Sequence, residues 1–156
     1  MTTGEPGAGQ EIHPWRILAE RHPHIAIALW QDLPDGADAQ RCGDVVRLSK
    51  RLGSTAARRS ALARVLAALE REGAGTTCSD PAREAKAADV IAARWLIPLE
   101  DLAAALAQAI HEGVRIGPRL AELLWCDEKA VADRFADLGK DETNWLAVRA
   151  ALGRAA

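Results

Sequence analysis

Two short apolar runs near the N-terminal end of the chain predict β-strands. The run from Ile25 to Trp30 is partly β-branched, follows Pro23, and precedes the turn-forming Pro-Asp-Gly at 34–36. Residues 45–48 form the second run. We expect the two strands to pair as a small antiparallel sheet packed on helices, with residues 32–43 as an unusually long hairpin connection.

The rest of the chain has the spacing of helices. Before the strands, Pro14 starts a helix over 14–21, because a first-turn proline loses no intrahelical hydrogen bond. After them, Ser54 or Thr55 caps a helix that runs to about Glu72. Its buried face is predicted from apolar residues at i, i+3, i+4 and i+7, which are Leu62, Val65, Leu66 and Leu69.

Strong start and stop signals divide the C-terminal half into further helices. Asp80 followed by Pro81 combines a capping residue with a first-turn proline, and Pro98 ends that helix. Four shorter helices are predicted over 99–109, 118–124, 128–136 and 141–152. The pattern therefore predicts an α+β fold, mainly α, with a sheet of two or three strands on a bundle of five to seven helices.

Composition narrows the class of protein. The 156 residues are 49% hydrophobic and carry a net charge of -2, so a folded core is expected and a polycation that coats nucleic acid is not. No apolar run is long enough for a membrane span. The three widely spaced cysteines, Cys42, Cys78 and Cys126, form no CxxC pair. We interpret them as reduced thiols of a cytoplasmic protein, and Met1 to Gln10 as a disordered leader.

Three stretches, taken in order, resemble one protein family. They are His13-Pro14-Trp15-Arg16, the helix over 59–73, and Ala92-Ala93-Arg94-Trp95-Leu96-Ile97-Pro98 with the downstream run 120–128. Together they resemble ImmA/IrrE-type metallopeptidases, particularly the short forms of actinobacteria and their phages. The resemblance spans most of 11–152. It implies a zincin-like, metallopeptidase-like core over 11–98 and a C-terminal helical subdomain over 99–156 packed on that core.

The resemblance also implies where zinc would bind. The family carries H-E-x-x-H on a helix, in which two His one turn apart hold the metal and the Glu moves a proton of the zinc-bound water. The matching positions here are Arg64, Val65 and Ala68. Arginine has no lone pair for a cation, and Val and Ala have no ligand atoms. The position of the third ligand lies between Ala87 and Asp89, so we predict no metal and no cofactor.

Arg64 is the position of greatest interest. One hypothesis is that its charge replaces the metal ion and pairs with Asp89 or Glu84 on the following helix. The alternative is a solvated surface arginine. His13, Trp15 and Arg16 are further binding candidates, although a structural role in fixing the first helix is favoured for them.

Two other features have competing interpretations. Five Trp accompany one Phe and no Tyr, and we expect core packing for most of the Trp, with one or two as anchors of a partner surface. Residues 115–135 have the outline of a helix-turn-helix. Its second helix is acidic, which phosphates would repel, so a structural helical pair is favoured over DNA binding.

The functional prediction is a catalytically inactive ImmA/IrrE-like regulator that binds a protein. Active members of the family cut phage-type repressors, so the resemblance implies a repressor-like or toxin–antitoxin-like partner, with no membrane association. Two alternatives stay open. One is an active metallopeptidase or other hydrolase with an unrecognised site, and the other is a DNA-binding accessory protein that uses the C-terminal helix-turn-helix.

Overall fold

The computed structural model describes residues 12–34 and 36–153, and the predicted leader over 1–10 lies outside them. The described residues form a mainly helical α+β fold with one small sheet, as the sequence predicted. The strands are β1 (Ala26–Gln31), β2 (Ala39–Cys42) and β3 (Val45–Ser49). The helices are α1 (Pro14–Arg21), α2 (Thr55–Gly73), α3 (Pro81–Leu96), α4 (Leu99–Glu112), α5 (Ile116–Leu123), α6 (Glu128–Asp137) and α7 (Lys140–Gly153).

The sheet is mixed, so the predicted antiparallel pairing of its two apolar strands is wrong. The strand order is β1-β3-β2, in which β1 runs parallel to β3 and β2 runs antiparallel to it. The connection over residues 32–43, which is predicted as a loop, contains β2, and β2 turns into β3 at Gly43, where φ is 59°. That hairpin reverses the chain once more than expected, so β3 enters the sheet in the direction of β1.

The capping signals in the sequence define the starts of three helices. The Ser54 hydroxyl accepts a hydrogen bond from the Ala57 N–H at the start of α2. The Asp80 carboxylate accepts one from the Ala82 N–H at the start of α3. The Asp127 carboxylate does the same for the Ala130 N–H of α6. Each bond satisfies a backbone donor that the first helical turn leaves without an intrahelical partner.

Two clusters of buried residues form the core, and α2 contributes to both. One cluster packs α1 and the sheet against Leu62, Leu66 and Leu69 of α2. The other packs α3 and the helices after it against Ala63 and Ala67 of the same helix. Because α2 lies between the clusters, its opposite faces are buried. The predicted division of the chain at residue 98 stays a prediction.

The predicted helix-turn-helix is a pair of helices whose second member packs along α3. Arg94 of α3 forms a two-bonded ion pair with Asp137 of α6, at 2.6 and 2.8 Å. Arg134 is buried and donates to the Ile97 carbonyl at 3.1 Å. These contacts fix α6 against α3 and the residue that follows it. None of the described helices is long and apolar enough to cross a lipid bilayer.

Candidate functional site

An open cleft of about 290 Å³ lies between α2 and α3, beside the start of β2. Arg64, Val65 and Ala68, the positions that match the metallopeptidase signature, all line its α2 wall. Asp89 lines the α3 wall. The rest of the lining is formed by small residues and one acid, which are Ala61, Ala85, Ala88, Ala39 and Asp38. The α2–α3 cleft is therefore mostly apolar, with charged groups on both sides.

Arg64 is held among carboxylates. Its Nη2 donates to both carboxylate oxygens of Asp127, at 2.6 and 2.7 Å. Its Nε lies 3.7 Å from Oδ1 of Asp89. The Arg64 side chain is only 14% exposed, so it is not a freely solvated arginine. A guanidinium that is mostly withdrawn from water needs such partners, because unpaired burial of a charge is costly.

The charges continue from Asp89 along the α3–α6 contact. Lys129 of α6 contacts Asp89 and also Asp133, and Lys86 of α3 reaches Asp133 from the other side at 2.9 Å. Burial raises the pKa of Asp133, but hydrogen bonds from Lys129 and Lys86 outweigh burial and keep that pKa below its ordinary value. Asp89 and Asp133 therefore alternate with cations along this contact.

Helix α2 also attaches the loop between α5 and α6. Arg59 is fully buried and donates to the carbonyls of Leu124 and Trp125, at 3.2 and 2.8 Å. The buried Ser60 hydroxyl accepts a hydrogen bond from the Asp127 N–H at 2.9 Å. Together with the Arg64–Asp127 ion pair, these bonds fix the helical pair to α2. Arg64 thus has a structural role beside any role in binding.

The cleft does not fit the zinc ion that the family resemblance implies. Of the side chains on its walls, only the carboxylates of Asp38 and Asp89 could serve as ligands, and Asp89 is already bound by Lys129. Among the described residues, no group of three or more His, Cys, Asp or Glu side chains is placed to hold a metal ion. His22 and His24 do not line the cleft, and His22 Nε2 is 2.9 Å from Oε1 of Glu70.

Glu84, the other acid considered for Arg64, has a different partner. Its two oxygens accept hydrogen bonds from Arg71, at 2.6 and 2.9 Å, and one of them also accepts from the Cys78 N–H at 2.9 Å. The Arg71 hydrogen bonds, followed by the backbone N–H of Cys78, lower the pKa of Glu84 to about 2. Glu84 therefore holds the loop between α2 and α3 in place, through its bonds to Arg71 and to the Cys78 backbone.

The N-terminal candidates do not contribute to the described lining of the cleft. His13 is the residue before α1, and its ring centroid is 6.2 Å from that of Trp125. Trp15 is half-buried against the cluster beneath the sheet. Arg16 is exposed and pairs with Glu20 along α1. The structural role that the sequence favoured for these three residues stays a prediction.

Three of the five tryptophans are half-buried and two are exposed. Trp15, Trp95 and Trp145 pack on the core clusters, and Trp95 touches both. Trp30 and Trp125 are 62% and 46% exposed. Each has an arginine over its ring, Arg58 at 4.9 Å and Arg59 at 5.5 Å from the ring centroid.

The free thiols have different environments. Cys42 and Cys78 are exposed, and Cys126 is buried within the loop that Arg59 binds. Burial, followed by the neighbouring Asp127 carboxylate, raises the pKa of Cys126 to about 12. Its thiol stays protonated at neutral pH and is a poor nucleophile.

Sequence reasoning missed the closest partner of Arg64. Asp127 caps α6 and lies 63 residues further along the chain from Arg64. No local spacing rule connects such a pair. Asp38 was missed because it precedes a strand that the sequence did not predict.

Compared with models of protein families, with curated proteins and with solved structures, the chain has no significant match to any of them. The resemblance to ImmA/IrrE metallopeptidases rests on the sequence stretches described above.

Proposed function

We propose that this chain is a non-catalytic relative of the ImmA/IrrE metallopeptidases, with a zincin-like core, that binds a partner protein in the α2–α3 cleft. The partner would be of the repressor-like or toxin–antitoxin-like class that the resemblance implies. It would be held without being cut.

The observation that carries the proposal is the common location of the four signature positions. Arg64, Val65 and Ala68 share one helix face, as any i, i+1 and i+4 set on a helix can. Asp89 comes from another helix, yet it lines the same cleft. Positions that together build one zinc site would have to converge in this way, so the convergence supports the resemblance.

The side chains at these positions favour binding over hydrolysis. Arg64 cannot act as a proton acceptor near neutral pH, and Val65 cannot handle a proton at all. The small apolar walls leave room for an aliphatic side chain of a partner protein. The polar groups beside them, Arg64 and Asp89, can fix the orientation of the bound backbone by hydrogen bonding.

A blocking substitution tests this use of the cleft. Ala68 is an exposed α2 residue on the cleft wall, so Ala68→Arg fills the cleft without disturbing the core. Ala147→Arg is the matched control, because Ala147 is exposed on α7. The immobilised full chain, its Ala68→Arg variant and the control would each be exposed to a lysate of the native host.

The expected result is one protein that is retained by the unmodified chain and the control, is lost with Ala68→Arg, and keeps its full length. Equal retention by all three chains would contradict binding in the cleft. Cleavage of the retained protein by the purified chain would contradict the absence of catalysis.

A further inference from the structure

Trp30 has an unfavourable backbone conformation that places its ring in solvent. Its φ is 59°, in the left-handed region that glycine adopts without cost and that bulky side chains rarely adopt. It lies in a β-bulge, because Leu29 and Trp30 together oppose the single residue Leu48 of β3. Bulges of this kind redirect side chains and are frequent beside functional sites.

The exposed ring carries a cation on one face. The Arg58 guanidinium lies 4.9 Å from the ring centroid of Trp30. The same guanidinium donates to the Leu52 carbonyl at 3.1 Å, which fixes its position. The Trp30 residue is nevertheless 62% exposed, so most of this large amphipathic side chain is accessible to a partner.

The strand and the helix beside this ring are rich in basic residues. Residues 45–69 contain six Arg or Lys and no Asp or Glu. Three of the six lie on β3, just after it or over the ring itself, and they are Arg47, Lys50 and Arg58. We call these three residues with Trp30 the Trp30 surface. Lys50 pairs with Asp32 at 2.9 Å, and Arg47 donates to the side chain of Gln31 at 3.4 Å.

We propose that the Trp30 surface docks an acidic segment of a partner protein, in which Asp or Glu residues flank a large apolar side chain. Tryptophan and arginine are among the residue types most enriched at the energetic hot spots of protein interfaces, and the cations beside Trp30 match an acidic segment. A single-stranded nucleic acid fits less well, because such sites stack successive bases on several aromatic rings along a groove. The Trp30 surface offers one ring.

This inference goes beyond the proposed function of the cleft. β1, which carries Trp30, is at one edge of the sheet, and β2, which borders the cleft, is at the other. No residue of the Trp30 surface lines the α2–α3 cleft. A partner could therefore occupy one site without the other.

Selection from a library of random peptides tests the proposal directly. The full chain is the bait, and the enriched consensus peptide is then synthesised and its affinity measured. We expect a consensus that combines acidic and large apolar residues, with weaker binding at higher salt. Enrichment of basic peptides, or no enrichment, would overturn the proposal.

Two variants assign the binding to this surface. Trp30→Gly removes the ring and relieves the backbone, so affinity should fall at least roughly tenfold while the thermal midpoint stays the same or rises. Lys50→Glu reverses an exposed charge and should weaken binding in the same direction. Unchanged affinity in both variants would refute the assignment.

A cleft variant and a nucleic-acid probe separate the remaining outcomes. Ala68→Arg should leave peptide affinity unchanged, so failure of the cleft proposal and failure of this one are distinguishable. Loss of peptide binding in Ala68→Arg alone would place the peptide in the cleft and overturn the proposal. Tighter binding of an oligothymidylate than of the peptide, if that binding is lost in Trp30→Gly, would also overturn the proposal.

Discussion

Arg64 forms both of its short hydrogen bonds to Asp127 through one terminal nitrogen, while Asp89 lies 3.7 Å from its Nε. Its charge is therefore shared between the α6 cap and the α3 wall of the cleft. This arrangement makes Arg64 part of the attachment between α2 and the helical pair. The pair is partly buried, so its loss should cost more than the loss of a surface ion pair.

We predict that Arg64→Met lowers the free energy of unfolding by about 1–3 kcal/mol, because it leaves the Asp127 carboxylate without its cation. In an Asp127→Asn background, which keeps a capping side chain, the same substitution should cost less than about 1 kcal/mol. Urea unfolding of the four proteins measures both values. Additive effects of the two substitutions would show that the ion pair contributes nothing.

The sequence predicted part of this site and could not predict the rest. The family resemblance suggested Asp89 or Glu84 as the partner of Arg64, with a solvated arginine as the alternative. Only side-chain geometry distinguishes the two acids. Asp127 is distant in the sequence, and its capping role gave no sign of a second partner.

The ends of the helices are set largely by local sequence signals, which are capping residues and prolines. Ser54, Asp80 and Pro98 define boundaries of α2 and α3 within a residue or two of those predicted. In contrast, β2 is polar and exposed, so no apolar periodicity marks it, and without β2 the direction of β3 could not be inferred.

The end of α5 departs from such local preferences. The Cys126 N–H donates to the Ala121 carbonyl and the Trp125 N–H to the Glu122 carbonyl, which is the Schellman pattern. Its left-handed position usually holds glycine, yet here it holds Trp125, with φ of 51°. Trp125 contacts Arg59 and lies near His13, and these contacts offset part of the strain.

We predict that Trp125→Gly changes the free energy of unfolding by less than about 1 kcal/mol, because relief of the left-handed strain offsets the lost contacts. The control is Trp95→Ala, which removes a ring packed on both clusters and should cost about 3 kcal/mol. Thermal unfolding compares the two. Equal destabilisation by both substitutions would show that Trp125 is a core residue.

At the scale of the whole molecule, α2 and Trp95 join the two clusters, and ion pairs hold α6 against α3. Other ion pairs join α2 to α3 and α4 to α5, and they lower the pKa values of two glutamates. The pKa of Glu84 is lowered to about 2 by Arg71 and then by Cys78, and that of Glu112 is lowered to about 2 by Arg119 and then by Gln108.

We predict acid destabilisation below the ordinary glutamate pKa of 4.5. Because the folded-state pKa lies below the unfolded value, the unfolded chain binds more protons, and stability falls as pH decreases from 4.5 to about 2. Urea midpoints from about pH 6 down to about pH 3 measure this loss. Glu84→Gln should make the midpoints less dependent on pH, and an unchanged dependence would contradict the role of Glu84.

We propose that this scaffold has exchanged a metal site for a salt-bridged arginine. Equilibrium dialysis of the full chain against zinc, followed by elemental analysis, measures whether any zinc site is left. We expect substoichiometric zinc and no difference between the unmodified chain and an Asp89→Asn variant. One zinc ion retained per chain, and lost on substitution of Asp89, would show that a metal site persists.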